Sequence, residues 1–349
     1  MPTKEATIRQ TGPKSPRLLL VVSAVIVLLA TVFGLMLHPG SQQGAGGKME
    51  SIRLGSLALE TSSLILIAED QRFFTGNGLD VSIQYYDTGL GTVNALLNSE
   101  VDIAGPAAEY VLVGKLFSNE KIRTIGSIDK VDYQSIIGRR DCGINSVPDL
   151  KGKQIGVIRG TIQEFYVTRF LDLHGISTSD VAFVDIALSQ AVDSIVNGEI
   201  DAVITVPPYT DTILDTLGSG AALWPTQNSQ MTQQLAICRD EWISQHPQLI
   251  ERFLEALRQA EEYIGGRPDQ AKAILRKKLD LTDADVARIW SQNQFSLSLD
   301  RSLVLAMEDE ARWMMRNNLT LEKQMPDFAD YIYEDGLKAV KPEAVHILR

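Results

Sequence analysis

From Ser51 onward the hydrophobic pattern of this 349-residue chain switches between two periods. Short β-branched runs mark strands, and longer stretches with apolar residues three and four apart mark helices. The first series predicts strands at Ser51–Leu57, Leu79–Tyr85, Val101–Ala104, Ile122–Ile128 and Tyr133–Ile137, with helices at Ser62–Phe74, Gly91–Leu97 and Pro106–Phe117. A second series opens with a turn at Asp149–Gly152. It predicts strands at Gln154–Ile158, Val181–Val184 and Ala202–Thr205, and helices at Thr161–His174, Ser189–Asn197 and Pro208–Leu217. Gln233–Cys238 is one more strand, and helices come after it at Pro247–Ile264, Pro268–Lys278, Asp283–Gln292 and Arg301–Asn317. Phe253, Leu254, Leu257 and Ala260 give the first of these an apolar stripe. Alternating strand–helix units imply parallel sheets covered on both faces. The plainest assembly is α/β with two lobes: one begun early, a second inserted, and a return to the first through Gln233–Cys238.

One phrase occurs in both series. NALLNSEVDIA (94–104) and DSIVNGEIDAV (193–203) align at a fixed offset of 99 residues. Asn98, Glu100 and Asp102 meet Asn197, Glu199 and Asp201; Val101 meets Ile200, and Tyr110 meets Tyr209. Each phrase is an apolar helical stretch, an Asn-Ser or Asn-Gly stop, and a β-branched strand start. Asn98, Asn197, Asp102 and Asp201 therefore read as scaffold. The repeat points to the residues just past each copy: Gly105 to Glu109, and Pro207 to Tyr209.

The N-terminus adds a compartment. Leu18–Leu37 holds twenty residues without a charge, about the length a helix needs to cross a bilayer. Lys4, Arg9, Lys14 and Arg17 precede it, which places the N-terminus inside. The run exceeds a signal-peptide core and no clean cleavage site lies beyond it, so an uncleaved anchor is expected. SQQGAGGK (41–48) reads as a flexible tether. The expected organisation is a cytoplasmic N-terminus (1–17), a transmembrane signal anchor (18–37), a linker (38–50), lobe one with the C-terminal helices (51–140 and 233–349) and lobe two (141–232).

Net charge is −11, and the first 47 residues carry +3, so the exported body carries −14. An acidic body argues against general nucleic-acid binding. The two cysteines, Cys142 and Cys238, form no CxxC, and neither directly follows the apolar run. That disfavours lipid anchoring and leaves a disulfide between them open outside the cytoplasm. His38, His174, His246 and His346 share no metal-ligand spacing. No GxSxG, Walker A or HExxH occurs. No catalytic residue, metal or cofactor is expected.

The chemistry that is present sits in loops running from strand ends into helix starts: Glu60-Thr61-Ser62-Ser63, Thr88-Gly89-Leu90-Gly91-Thr92, Gly105-Pro106-Ala107 and Arg159-Gly160-Thr161. Helix N-termini present unpaired N–H groups and partial positive charge, and such loops crowd at the carboxyl ends of parallel strands. They read either as N–H donors converging on a small polar ligand or as ordinary Thr and Ser capping. Tyr209, after Pro207-Pro208, can stack on a ligand or fill a hinge gap. Glu109 is the acid expected to look toward a cleft, with solvent exposure on its helix as the alternative.

Four stretches then carry a family resemblance: Ala68–Gly105, Ser146–Thr161 with its DLKGK phrase, Ile195–Tyr209, and Ile237–Leu257. In this order they resemble the extracytoplasmic substrate-binding proteins of ABC importers. The branch is the one handling nitrate, taurine and aliphatic sulfonates, which also includes thiamine-pyrimidine binders. The resemblance spans about 51–337. It implies a type II periplasmic-binding fold in two lobes, with a ligand held between them and closure by a hinge. By position it implies a ligand site of Thr61 and Ser62, Gly89 to Gly91 including Leu90, Gly105 to Ala107, Gly160 and Thr161, and Pro208 and Tyr209; Glu109 joins it from the reading above. The chain departs from the pattern at Pro207 and at Ala107-Ala108-Glu109. The implied role is solute capture on the periplasmic side of the membrane and delivery to an ABC permease and ATPase. The alternatives are an enzyme of thiamine-pyrimidine type on the same fold, and a ligand sensor for a membrane partner.

Overall fold

The computed structural model describes residues 49–227 and 230–347. The N-terminal segment, the apolar run 18–37 and the tether up to residue 48 lie outside the described residues. Among the described residues no helix is long and apolar enough to cross a membrane.

Two sheets organise the body. The first contains β1 (Glu50–Leu57), β2 (Leu79–Tyr86), β3 (Ile103–Ala108), β4 (Ile122–Val131), β10 (Thr232–Arg239) and the short β11 (Asn293–Gln294), in the order β11-β4-β10-β3-β1-β2. The second contains β5 (Ser135–Arg139), β6 (Gln154–Val157), β7 (Ala182–Asp185), β8 (Ala202–Thr205) and β9 (Ala221–Pro225), in the order β7-β6-β8-β5-β9. Each is a parallel trio beside an antiparallel strand that carries the chain across: β2-β1-β3 beside β10, and β7-β6-β8 beside β5.

The repeated phrase explains why the trios match. In both copies the Asn before the turn caps a helix, its N–H donating to the carbonyl four residues back: Asn98 N to Asn94 O at 3.0 Å, Asn197 N to Asp193 O at 2.9 Å. The next residue is left-handed in both, Ser99 at φ 62° and Gly198 at φ 77°. The Asp then starts its strand by clasping the backbone of the neighbouring one. Asp102 N donates to Arg53 O at 2.8 Å while its carboxylate accepts Arg53 N at 2.9 Å. Asp201 N donates to Gln154 O at 3.0 Å while its carboxylate accepts Gln154 N at 2.9 Å. An Asp at this position pairs the first rung of a parallel ladder from both sides, which sets register.

The helices cover the sheets through their apolar faces. In the first lobe these include α1 (Ser63–Asp70), α2 (Phe73–Gly76), α3 (Gly89–Leu97) and α4 (Glu109–Phe117). In the second they are α5 (Ile162–Leu173), α6 (Ala191–Val196) and α7 (Tyr209–Leu217). The C-terminal helices α8 (Asp240–Gln245), α9 (Pro247–Gly266), α10 (Pro268–Leu279), α11 (Asp283–Gln292), α12 (Arg301–Arg316) and α13 (Asp335–Val340) come after β10. On α9 the expected stripe of Phe253, Leu254, Leu257 and Ala260 is fully buried, each large side chain contributing about 1.5–3 kcal/mol.

Three expectations need correction. The helix expected at 62–74 is two, because Arg72 turns left-handed (φ 58°) between α1 and α2. The strand expected to end at Ala104 runs to Ala108, so Pro106-Ala107 is strand and not helix start. Ala107 and Ala108 are held extended by pairing with Leu235 and Gln234. Ser135–Arg139, expected in lobe one, belongs to the second sheet, paired to β8 and β9. Its apolar run would fit either sheet, and only the crossing at 132–134 decides. The strand β9 (Ala221–Pro225) has no counterpart in the sequence reading. Cys142 and Cys238 are both free thiols.

Candidate functional site

A cavity of about 90 Å3 lies between the lobes, at the carboxyl ends of the parallel strands. The first lobe supplies Leu57, Leu59, Thr61, Asp87, Thr88, Gly89, Leu90, Ala108 and Val111. The second supplies Ile158, Thr161, Ile162, Gln163, Leu188 and Val206. Tyr133 and Gln134 from the crossing, with Gln234 from β10, complete it. The setting agrees with the rule that open α/β sheets bind ligands beyond their strand ends. A larger hollow of about 580 Å3 beside α12 has no wall from the second sheet or its helices.

Local structure explains the polar wall. Thr88 caps α3, its hydroxyl accepting Gly91 N at 3.1 Å. Thr161 caps α5, accepting Gln163 N at 3.4 Å and donating to Ile158 O at 2.8 Å. Capping holds each first turn at the cavity edge and delivers Leu90 and Gln163 into it. Three buried polar atoms of the lining have no partner: Thr61 Oγ1, Gln134 Oε1 and Gln163 Oε1. Buried polar groups are ordinarily paired, so such atoms in a cavity wall are suited to meet a ligand.

Four of the residues singled out from sequence line the cavity: Thr61, Gly89, Leu90 and Thr161. The others are placed around it. Ser62 is fully buried, its hydroxyl donating to Leu57 O at 2.8 Å. Gly91 donates to the Thr88 cap. Gly89 also packs on the neighbouring strand: a Cβ there would lie 2.8 Å from Ala107 Cα, which is where Ala107 enters. Gly105 (φ 156°) lies so close to β10 that a Cβ would meet Leu235 O at 2.5 Å. Gly160 is left-handed (φ 70°), faces Leu90 across the cleft, and donates to Glu164 at 2.9 Å. Pro208 accepts Thr212 N at 3.1 Å at the start of α7. Tyr209 is half-buried; burial, then Asp87 and Glu60 across the cleft, raise its phenol pKa.

Glu109 is outside the lining. It is fully buried, one carboxylate oxygen accepting Gln233 N at 2.9 Å. Burial pushes it up to about 8. Glu310, equally buried on α12, is raised well above the usual range by burial and then by Glu109. The acid at the cavity is Asp87, exposed at its mouth. Just behind the wall, Glu60 is buried and pushed up to about 7, the burial outweighing its own backbone hydrogen bond and the attraction of Arg288.

Sequence reasoning missed Gln134 and Gln163. Gln163 was within reach, two residues past Thr161 in the first helical turn. Gln134 was hidden because 133–137 reads as one strand.

The crossings are tied together by one side chain. Gln227, buried after β9, accepts Tyr133 N and Gln134 N, each at 2.8 Å. It donates to Val131 O at 2.9 Å, Gln230 O at 2.8 Å and Thr232 Oγ1 at 3.2 Å. Thr226 N and Oγ1 both donate to Gln134 O at 3.0 Å. Elsewhere the lobes meet through ion pairs, Arg288 to Asp211 at 2.5 Å and Arg169 to Asp309 at 2.8 Å. Phe165 of the second lobe also packs on Trp313 (5.5 Å, edge-on) and Tyr110 (6.2 Å) of the first.

Comparison with known proteins gives a consistent answer. The model of the family described as "NMT1/THI5 like" matches residues 61–271. A Bacillus subtilis protein named "Putative aliphatic sulfonates-binding protein" is 24% identical over 330 residues, covering 91% of this chain and 97% of its own. The 4-amino-5-hydroxymethyl-2-methylpyrimidine phosphate synthase of Schizosaccharomyces pombe is 27% identical over 213 residues, covering 56% and 60%. Among solved structures, the alkanesulfonate-binding protein SsuA from Xanthomonas axonopodis pv. citri, bound to MOPS, superposes with a TM-score of 0.72 at 18% identity, over 83% of this chain and 100% of that one. The fold is therefore the two-lobed periplasmic-binding fold.

Proposed function

We propose that this chain, which belongs to the NMT1/THI5-like family, is the extracytoplasmic solute-binding component of an ABC importer. It captures a small solute between its lobes and presents the closed form to a permease and its ATPase. The observation that carries this reading is the cavity walled by both lobes, with Thr61, Gln134 and Gln163 holding buried, unpaired polar atoms against it. Two lobes joined by crossing strands supply the hinge that such capture uses. Ligand binding biases the closed state, and a partner that reads closure then senses occupancy. The twenty uncharged, mostly apolar residues of 18–37 support export and tethering at the membrane.

The site residues we assign to this role are Thr61, Gly89, Leu90 and Thr161, with Thr88, Gln134 and Gln163 added. A second reading, an enzyme, has the likeness to the fission-yeast synthase in its favour. The lining holds no histidine or cysteine among the described residues, so it offers no nucleophile–base pair of the usual kinds.

Trp313 lies on the lobe interface and serves as the reporter. Addition of a cognate solute is expected to change its fluorescence and raise the melting temperature by mass action. A broad solute panel that leaves both unchanged would refute the reading. Turnover of a bound compound, seen by mass spectrometry, would turn it toward an enzyme.

A further inference from the structure

The cavity has a one-sided charge balance. Among its lining residues none is a lysine, arginine or histidine, and one, Asp87, is an acid. Behind the wall Glu60 and Asp129 are buried, and burial raises both carboxyls toward their neutral forms, with Arg288 as the cation nearest Glu60. The natural seat for an anion in the second lobe is the start of α5, where N–H groups and the helix dipole attract negative charge. That seat is already filled from within. The Glu164 carboxylate accepts Gly160 N at 2.9 Å and pairs with Arg159 at 2.5 Å. Arg159 is thereby engaged, and it also lies over the Phe183 ring at 4.9 Å.

What the cavity offers instead is amide and hydroxyl chemistry on apolar walls. Thr61, Gln134 and Gln163 are 2%, 3% and 5% exposed, and each has an unpartnered oxygen. A carboxamide presents a donor beside an acceptor and complements a ligand edge of the same kind. It supplies no countercharge, and an anion stripped of water without one is strongly disfavoured.

We propose that this cleft takes an uncharged or basic solute, with an N–H donor beside an acceptor on a small apolar frame, and rejects oxyanions such as sulfonates, nitrate and carboxylates. The proposal rests on the solute-binding reading and adds to it the charge class of the ligand. Gln134 and Gln163 are the residues that read the polar edge. Asp87, at the mouth, sets the sign of the field.

The test uses the purified full chain and three probes of one shape and different charge: benzamidine, benzamide and benzoate. Taurine and nitrate are added as oxyanions. Binding is followed by calorimetry and tryptophan fluorescence, alongside native mass spectrometry of any co-purified solute. Benzamide or benzamidine is expected to bind at least tenfold tighter than benzoate, taurine and nitrate. Gln163→Lys is expected to shift that order toward benzoate by at least tenfold, and a co-purified solute is expected to be neutral or cationic. If an oxyanion binds tighter than benzamide and benzamidine, or co-purifies, the charge class falls while solute binding stands. If no probe binds and nothing co-purifies, solute binding itself falls and this proposal falls with it.

Discussion

Replacing Gln227 by alanine tests the hinge at its most connected point. The side chain is 2% exposed and makes five hydrogen bonds. Its loss leaves the N–H groups of Tyr133 and Gln134 and the carbonyl of Val131 without this partner. Each unpaired buried group costs about 1–3 kcal/mol. Tyr133 is only half-buried and water can enter the vacated space, so the lower end applies. Three groups at about 1 kcal/mol each give a loss near 3 kcal/mol. Urea unfolding should show that loss as a lower midpoint at constant slope. Hydrogen exchange should accelerate at Tyr133 and Gln134. Gln134 also lines the cavity, so solute affinity should fall in the same variant even though Gln227 is outside the lining. Gln227→Glu is the discriminating control. It keeps acceptors for the two N–H groups but sets a buried carboxylate oxygen against the Val131 and Gln230 carbonyls, so at pH 7 its loss should exceed that of Gln227→Ala. A Gln227→Ala loss below about 0.5 kcal/mol, with exchange unchanged, would refute the idea that this side chain ties the crossings.

Two other outcomes concern charged groups elsewhere in the body. Glu109 binds its proton more tightly folded than unfolded, so over the interval from the ordinary glutamate range to about 8 the unfolded state holds fewer protons, and stability should fall as pH rises through it. Glu109→Gln should flatten that slope and stabilise the body at pH 8 relative to pH 5; denaturation at pH 5 and pH 8 checks it, and an unchanged slope sinks it. Arg288→Ala removes a partly buried ion pair between the lobes, so without ligand the open form should gain about 0.5–1 kcal/mol, a factor of roughly 2–5; an unchanged radius of gyration in X-ray scattering would show that the pair does not bias closure.

The repeat was the most legible feature of the sequence, and it was legible for a local reason. Asn98 with Asn197, and Asp102 with Asp201, act on backbone within one helix–turn–strand unit and on the first rung of the adjacent strand. Such roles leave a fixed grammar. The first turns at Gly89 and Thr161 were legible in the same way, since a cap and its helix are neighbours in sequence. Glu109 was misplaced because an acid at a helix start reads alike whether it faces a cleft or a buried strand. Its actual partner, the Gln233 backbone, lies 124 residues away.

The sequence alone therefore determined the alternation of strands and helices, the doubled lobe, and the turns that edge the cleft, because each rests on contacts within a few residues. Tertiary structure decided the rest. It assigned Ser135–Arg139 to the second sheet, filled the α5 N-terminus with Glu164, drew Gln134 out of a crossing, and left the cavity lining without a cationic side chain. Burial, pairing and charge balance depend on which distant segments share a space, and no local pattern encodes that.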